Sequence, residues 1–139
     1  MAFLSRGFKA LRNMFLQSAI GDVVGIVGPS GVKSVWPAGA VDTSITASAT
    51  SDQAGATQLK YRVSEITVVA TAGDSVKLPQ ADEIGMSMLV INNDAAESMD
   101  VFPFLGDSIN QLAANTALAV AQNVSTYFVC VALGRWRSK

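Results

Sequence analysis

Asp100-Val-Phe-Pro-Phe-Leu-Gly-Asp-Ser-Ile-Asn110 and, beyond an alanine-rich link, Ser125-Thr-Tyr-Phe-Val-Cys-Val-Ala-Leu-Gly-Arg-Trp136 decide the fold class. Both read as short strands set between Gly-Asp and Asn turns, with no catalytic grouping inside them. They point to a rigid β module that holds a partner and does no chemistry.

The same pattern extends back to residue 57. Leu59–Val63 alternates apolar and basic residues, as a half-exposed strand does, and Ile66–Thr71 is a β-branched run. Ser75–Leu78 stops at Pro79, Met86–Ile91 stops at Asn92-Asn93-Asp94, and Met99–Phe104 carries Pro103 as an edge or bulge signal. Ala117–Val120 is short. Val124–Leu133 is the longest strand candidate, closed by Arg135-Trp136. Gly73-Asp-Ser-Val76 and Gly106-Asp-Ser-Ile109 echo each other as turns that open a strand. Short strands with polar turns predict an all-β body over 57–139, a β-sandwich or a jelly roll.

Upstream the texture changes. Residues 21–56 are rich in Gly, Pro, Ser and Thr, with short apolar runs at Val23–Val27 and Val32–Trp36, and read as an extended arm or edge strands. In residues 1–20, Leu4, Phe8, Leu11 and Phe15 line one face at helical spacing, with Arg6, Lys9 and Asn13 opposite. This predicts a short amphipathic helix in an N-terminal arm, suited to packing on a protein or lying on a membrane surface. The expected partner contacts are Phe3, Leu4, Phe8, Leu11 and Phe15 as apolar anchors, with Arg6, Lys9 and Arg12 for charge complementarity.

Composition narrows the chemistry. Half of the 139 residues are apolar and 15% are charged, so the chain has the makings of a core, although one thin in aromatics. Residues 1–20 and 135–139 carry only bases. Between them, all eleven acids face four bases, Lys33, Lys60, Arg62 and Lys77. Basic ends on an acidic body favour an acidic partner. No apolar run reaches the length of a membrane span, and Arg12-Asn13 interrupts any secretory signal core. Manufacture in the cytoplasm is the expectation.

The chain has no histidine and a single cysteine, Cys130. Ser-His-Asp and Cys-His catalysis are therefore impossible, as are an internal disulfide and a His/Cys zinc site. Cys130 reads as a buried small hydrophobe. The acids Asp74, Asp82-Glu83, Asp94 and Asp107 fall in turns and follow no calcium-loop spacing. Gly25-Ile-Val-Gly-Pro-Ser-Gly-Val-Lys-Ser34 has the outline of a phosphate-binding loop, but Val32 separates Gly31 from Lys33 and Trp36-Pro37 follows where a helix should run. Lys60-Tyr-Arg62 and Arg135-Trp-Arg137 are too sparse for a nucleic-acid surface. The reading is a protein with no catalytic, cofactor or metal site, no small-molecule substrate and no nucleic-acid partner.

From Ile66 to Trp136 the chain resembles a module of tailed-bacteriophage virion proteins. The matching residues are Ala72-Gly-Asp-Ser-Val-Lys-Leu-Pro79, Val90-Ile-Asn-Asn93, Val101-Phe-Pro103, Gly106-Asp-Ser-Ile-Asn110, Ala114-Asn115 and Phe128-Val-Cys-Val-Ala-Leu-Gly-Arg-Trp136. With its size and N-terminal arm, the chain looks most like a capsid decoration, or cement, protein. That resemblance implies a sandwich or jelly-roll body, a place on the capsid exterior of the virion, and self-association as a dimer or trimer. It also implies the major capsid protein as partner, no enzymatic activity and no membrane role. A tail or fibre component that recognises a host surface is the alternative, and a membrane-active peripheral protein led by residues 1–20 a third.

Overall fold

The computed structural model describes residues 41–139 as one compact unit, Val41–Lys139. The expected helix over 1–20 with its eight contact residues, the runs Val23–Val27 and Val32–Trp36, and the loop 25–34 lie outside the described residues.

The unit is all-β. Its strands are β1 (Val41–Thr46), β2 (Thr57–Gln58), β3 (Val63–Val68), β4 (Ser75–Lys77), β5 (Ser87–Asn92), β6 (Met99–Phe102), β7 (Ser108–Ile109), β8 (Leu118–Val120), β9 (Val124–Ala132) and β10 (Arg135–Ser138). They form a six-stranded sheet ordered β1-β3-β5-β9-β10-β7 and a four-stranded sheet ordered β2-β4-β6-β8. Val41–Thr46, expected in the extended arm or as an edge strand, is the edge of the larger sheet.

The pairing corrects the sandwich and jelly-roll expectation. In those folds neighbouring strands run antiparallel. Here β1, β3 and β5 pair in parallel, and so do β2, β4 and β6. Parallel neighbours cannot be joined by a hairpin, so the chain must travel elsewhere before returning. It does so by alternating between the two sheets, β1, β3 and β5 in one and β2, β4 and β6 in the other, as a three-rung coil of the β-solenoid kind. Antiparallel strands then end the ladders, β8 on β6 and β9 on β5, and β10 folds back on β9.

Three tight turns make the coil possible. Asp74 N–H donates to Thr71 O (3.1 Å), Met86 N–H to Glu83 O (3.1 Å) and Asp107 N–H to Phe104 O (2.9 Å). The third residue of each is a glycine, Gly73, Gly85 or Gly106, with φ near 90°. A β-carbon is strained in that region, and glycine is not. A serine follows two residues later and opens β4, β5 or β7. The Gly-Asp-Ser echo is thus a shared corner with a third copy, Gly85-Met86-Ser87. Leu59–Val63, expected as a strand, is another corner. Leu59 extends the β2 ladder by donating to Lys77 O (2.9 Å), and β3 starts only at Val63.

Inward side chains of both sheets meet in one core. It includes Ile66, Val76, Leu78, Met88, Val90, Met99, Val101, Ile109, Phe128, Cys130 and Trp136, all fully buried. Buried polar groups are tied to backbone, as burial demands. Asn92 Nδ2 donates to Glu97 O (2.9 Å) and Val120 O (3.1 Å), and its Oδ1 accepts from Asp94 N–H (3.1 Å). Asp74 accepts from Thr71 Oγ1 (2.7 Å), Ala70 N–H (2.9 Å) and Thr71 N–H (3.2 Å).

Two stability predictions follow from this packing. Phe128→Ala should lower unfolding stability by about 3–5 kcal/mol and Gly106→Ala by about 1–3 kcal/mol, read from urea denaturation. The second concerns acid. The Thr71 hydroxyl and then the backbone N–H donors of Thr71 and Ala70 hold the Asp74 carboxyl below its ordinary 3.8, against the opposing effect of burial. The charged form therefore stabilises the fold above pH 3.8, and that contribution disappears as pH falls through the lower folded value. Asp74→Asn should be less stable than the parent at neutral pH, and the gap should close at acid pH, in unfolding curves measured across pH.

Candidate docking surface

β9 supplies both the core and the surface. Its residues alternate, so Phe128 and Cys130 point inward while Tyr127, Val129 and Val131 point out of the larger sheet. Tyr127 and Val131 are 42% and 39% exposed. The register sets Val41, Val63, Leu89 and Tyr127 side by side across β1, β3, β5 and β9. Ile91 lies one outward position along β5 from Leu89. This outer face is an apolar patch on a sheet whose backbone is paired on both sides at β9.

The stripe runs on into the Leu133-Gly134 turn. Gly134 N–H donates to Ala81 O (2.8 Å) and Gly134 O accepts from Ser108 N–H (2.9 Å). Asp107 Oδ2 accepts from Ala81 N–H (2.7 Å), and Gly85 N–H donates to Cys130 O (2.8 Å). These bonds draw the turns at 83–86, 104–107 and 132–135 together at one end of the unit. Each places a large aliphatic residue just before its glycine: Ile84, Leu105 and Leu133, which are 66%, 72% and 70% exposed. Tyr127 to Leu133 spans about 20 Å at the rise of a strand.

Bases border the stripe. On β10, Arg137 stands beside Val129, and Lys139 pairs with Tyr127 through reciprocal backbone bonds of 3.0 and 3.1 Å. Arg135, Arg137 and Lys139 are exposed. On the far side, Arg62 Nη2 donates to Ser87 Oγ (3.3 Å), and Ser87 is the β5 residue opposite Val129. Arg135-Trp-Arg137, weighed above as a sparse nucleic-acid signal, divides across the sheet, for Trp136 is fully buried between its two exposed arginines.

The turn carboxylates of Asp74, Asp94 and Asp107 are engaged structurally. Asp94 accepts from Ala96, Glu97 and Val69 N–H groups, which hold its carboxyl below the usual range. Burial pushes Asp100 up and the Cys130 thiol up, and Cys130 Sγ donates to Ala132 O (3.2 Å). Among the described residues, no three His, Cys, Asp or Glu side chains are grouped to hold a metal ion, and no helix is long and apolar enough to cross a membrane. The β9 stripe escaped sequence reasoning. Its signal was present in the alternation of 127–133, but which half of an alternating strand faces out depends on the register, which is not written locally. Comparison of the chain with family models, curated proteins and solved structures finds no match.

Ile84, Leu105 and Leu133 serve a surface, so truncating them should cost the fold little. Leu105→Ser with Leu133→Ser should leave unfolding stability within about 0.5 kcal/mol per site and reduce binding of a hydrophobic dye to the native protein.

Proposed function

We propose that the chain is a non-enzymatic virion structural protein that binds the outside of a phage capsid and stabilises contacts between capsid subunits. The observation that carries this reading is the exposed apolar stripe of β9, bordered by bases and held on a hydrogen-bonded sheet. A surface of that kind gains free energy when covered, and the sheet presents it with little conformational entropy left to lose. The resemblance of 66–136 to tailed-phage virion modules supplies the setting. A coil in place of a sandwich or jelly roll is compatible with any rigid part of a virion, and the exposed face supports a docking role. The partners in this reading are the major capsid protein and further copies of the chain, with no small molecule, nucleic acid or membrane involved. Many weak clamps acting together strengthen a shell through multivalency.

Residues 1–20 remain the proposed second point of attachment, through Phe3, Leu4, Arg6, Phe8, Lys9, Leu11, Arg12 and Phe15. The alternative, a tail or fibre part that meets a host surface, draws on the aliphatic tip at Ile84, Leu105 and Leu133. Copy number separates the two: occupancy across the whole shell supports the head, and a few copies per particle the tail. Mixing the full chain with capsids that lack it should give saturable co-sedimentation at shell-wide stoichiometry. Deleting residues 1–20 should abolish that binding and leave the thermal unfolding of the β unit unchanged. Full occupancy by the truncated chain would overturn the attachment role of the arm.

A further inference from the structure

We infer that the surface covering the β9 stripe belongs to an acidic protein, apolar at its centre and carboxylate-rich along the border that meets β10. This deepens the docking reading above and rests on it.

Charge complementarity carries the inference. The bases of 41–139 are Lys60, Arg62, Lys77, Arg135, Arg137 and Lys139. Arg137 and Lys139 stand beside Val129 and Tyr127 on one side of the stripe, Arg135 lies at the end of the same strand opposite Ala132, and Arg62 reaches Ser87 on the other side. The body is otherwise acidic, yet no acid lies on β9 or β10 or anywhere in 108–139. Glu65 sits on β3 opposite Ile91 and is held by Asn93 Nδ2 (2.8 Å), while Asp82 and Glu83 belong to the turn at the tip. Solvation alone gives no reason for such segregation. An interface does, because unlike charge at its rim steers encounter and excludes wrong partners.

A second copy fits this face poorly. A two-fold axis across the strands would set β10 against β10, base on base. An axis along β9 would set Arg137 over Ser87, where Arg62 already reaches, and Lys139 over Leu89, pairing base with base and burying charge on aliphatic surface. Glu65 is the acid such a pairing could use, and it cannot answer three bases. A nucleic acid fits poorly too. The centre of the stripe is aliphatic, with Tyr127 as its exposed aromatic, whereas single strands are held by successive aromatic platforms.

Two measurements test this. In the first, amide NMR spectra of the full chain are followed during addition of poly-glutamate, of oligo-thymidine, and on concentrating the protein alone. Poly-glutamate should shift residues of β9 and β10, and about 500 mM salt should reverse the shifts. Larger shifts from oligo-thymidine, shifts on concentration alone, or none on these strands with poly-glutamate would each overturn the inference, whatever the capsid experiment shows. In the second, Arg135→Glu, Arg137→Glu and Lys139→Glu are combined in the full chain. Capsid affinity should fall about tenfold or more, with a flatter salt dependence. Unchanged affinity on a chain that still decorates capsids would sink the acidic partner and leave the decoration role standing.

Discussion

The structure depends on a backbone constraint at its corners. A parallel coil must carry the chain out of one sheet and into the other within a few residues, and an ordinary side chain resists the conformation this requires. Gly73, Gly85 and Gly106 adopt it, each with φ near 90°. The corners differ in what secures them. Asp74 binds the backbone of its own turn, through Ala70 and Thr71. Asp107 reaches across to Ala81, on the approach to the Gly85 corner. Met86 stands in the same position and has no carboxylate, so that corner relies on strand pairing, with Gly85 and Cys130 donating in turn to Cys130 O and Met86 O.

Corners alone do not close a small core. Parallel rungs are joined only by distant returns of the chain, and the order of contacts makes them slow to assemble. β9 answers this as the longest strand, antiparallel to β5 along six residues from Ser87 to Asn92. It brings Phe128 into the core, and its return strand β10 brings Trp136. The Trp136 indole N–H has no acceptor among the described residues, a cost of about 1–3 kcal/mol that burial of the ring must exceed. At the opposite edge β1 is interrupted by register shifts after Asp42 and Ile45, which blunts the edge as a template for further strands.

Much of this was legible locally. β4, β5, β6, β8 and β9 fall where alternation and turn residues place them, because a half-buried strand writes its period into the chain. Leu59–Val63 misled for the same reason: alternation at a corner looks like alternation in a strand, and the backbone of Tyr61-Arg62 turns before β3 begins. Strand partners were not legible. A parallel and an antiparallel neighbour bury the same inward residues, so Val76 and Val101 give no hint that they stand side by side in parallel. The third corner was hidden because its Asp position holds Met86. The proposed docking face was hidden because it becomes continuous only when Val63, Leu89 and Tyr127, far apart in the chain, are brought into register.

That register couples the face to the core. In β9 the alternation that sends Phe128 and Cys130 inward sends Tyr127, Val129 and Val131 outward, and a slip of one residue would exchange the two sets. The exchange would bury a tyrosine hydroxyl and expose Phe128, so the core selects the register and the face inherits it. The same holds for β10, where burial of Trp136 forces Arg135 and Arg137 to the outside, beside the stripe. The charge pattern of the surface is therefore a consequence of core packing. Any change that loosens Phe128 or Trp136 disturbs the spacing of the bases along the stripe, even at positions no partner touches.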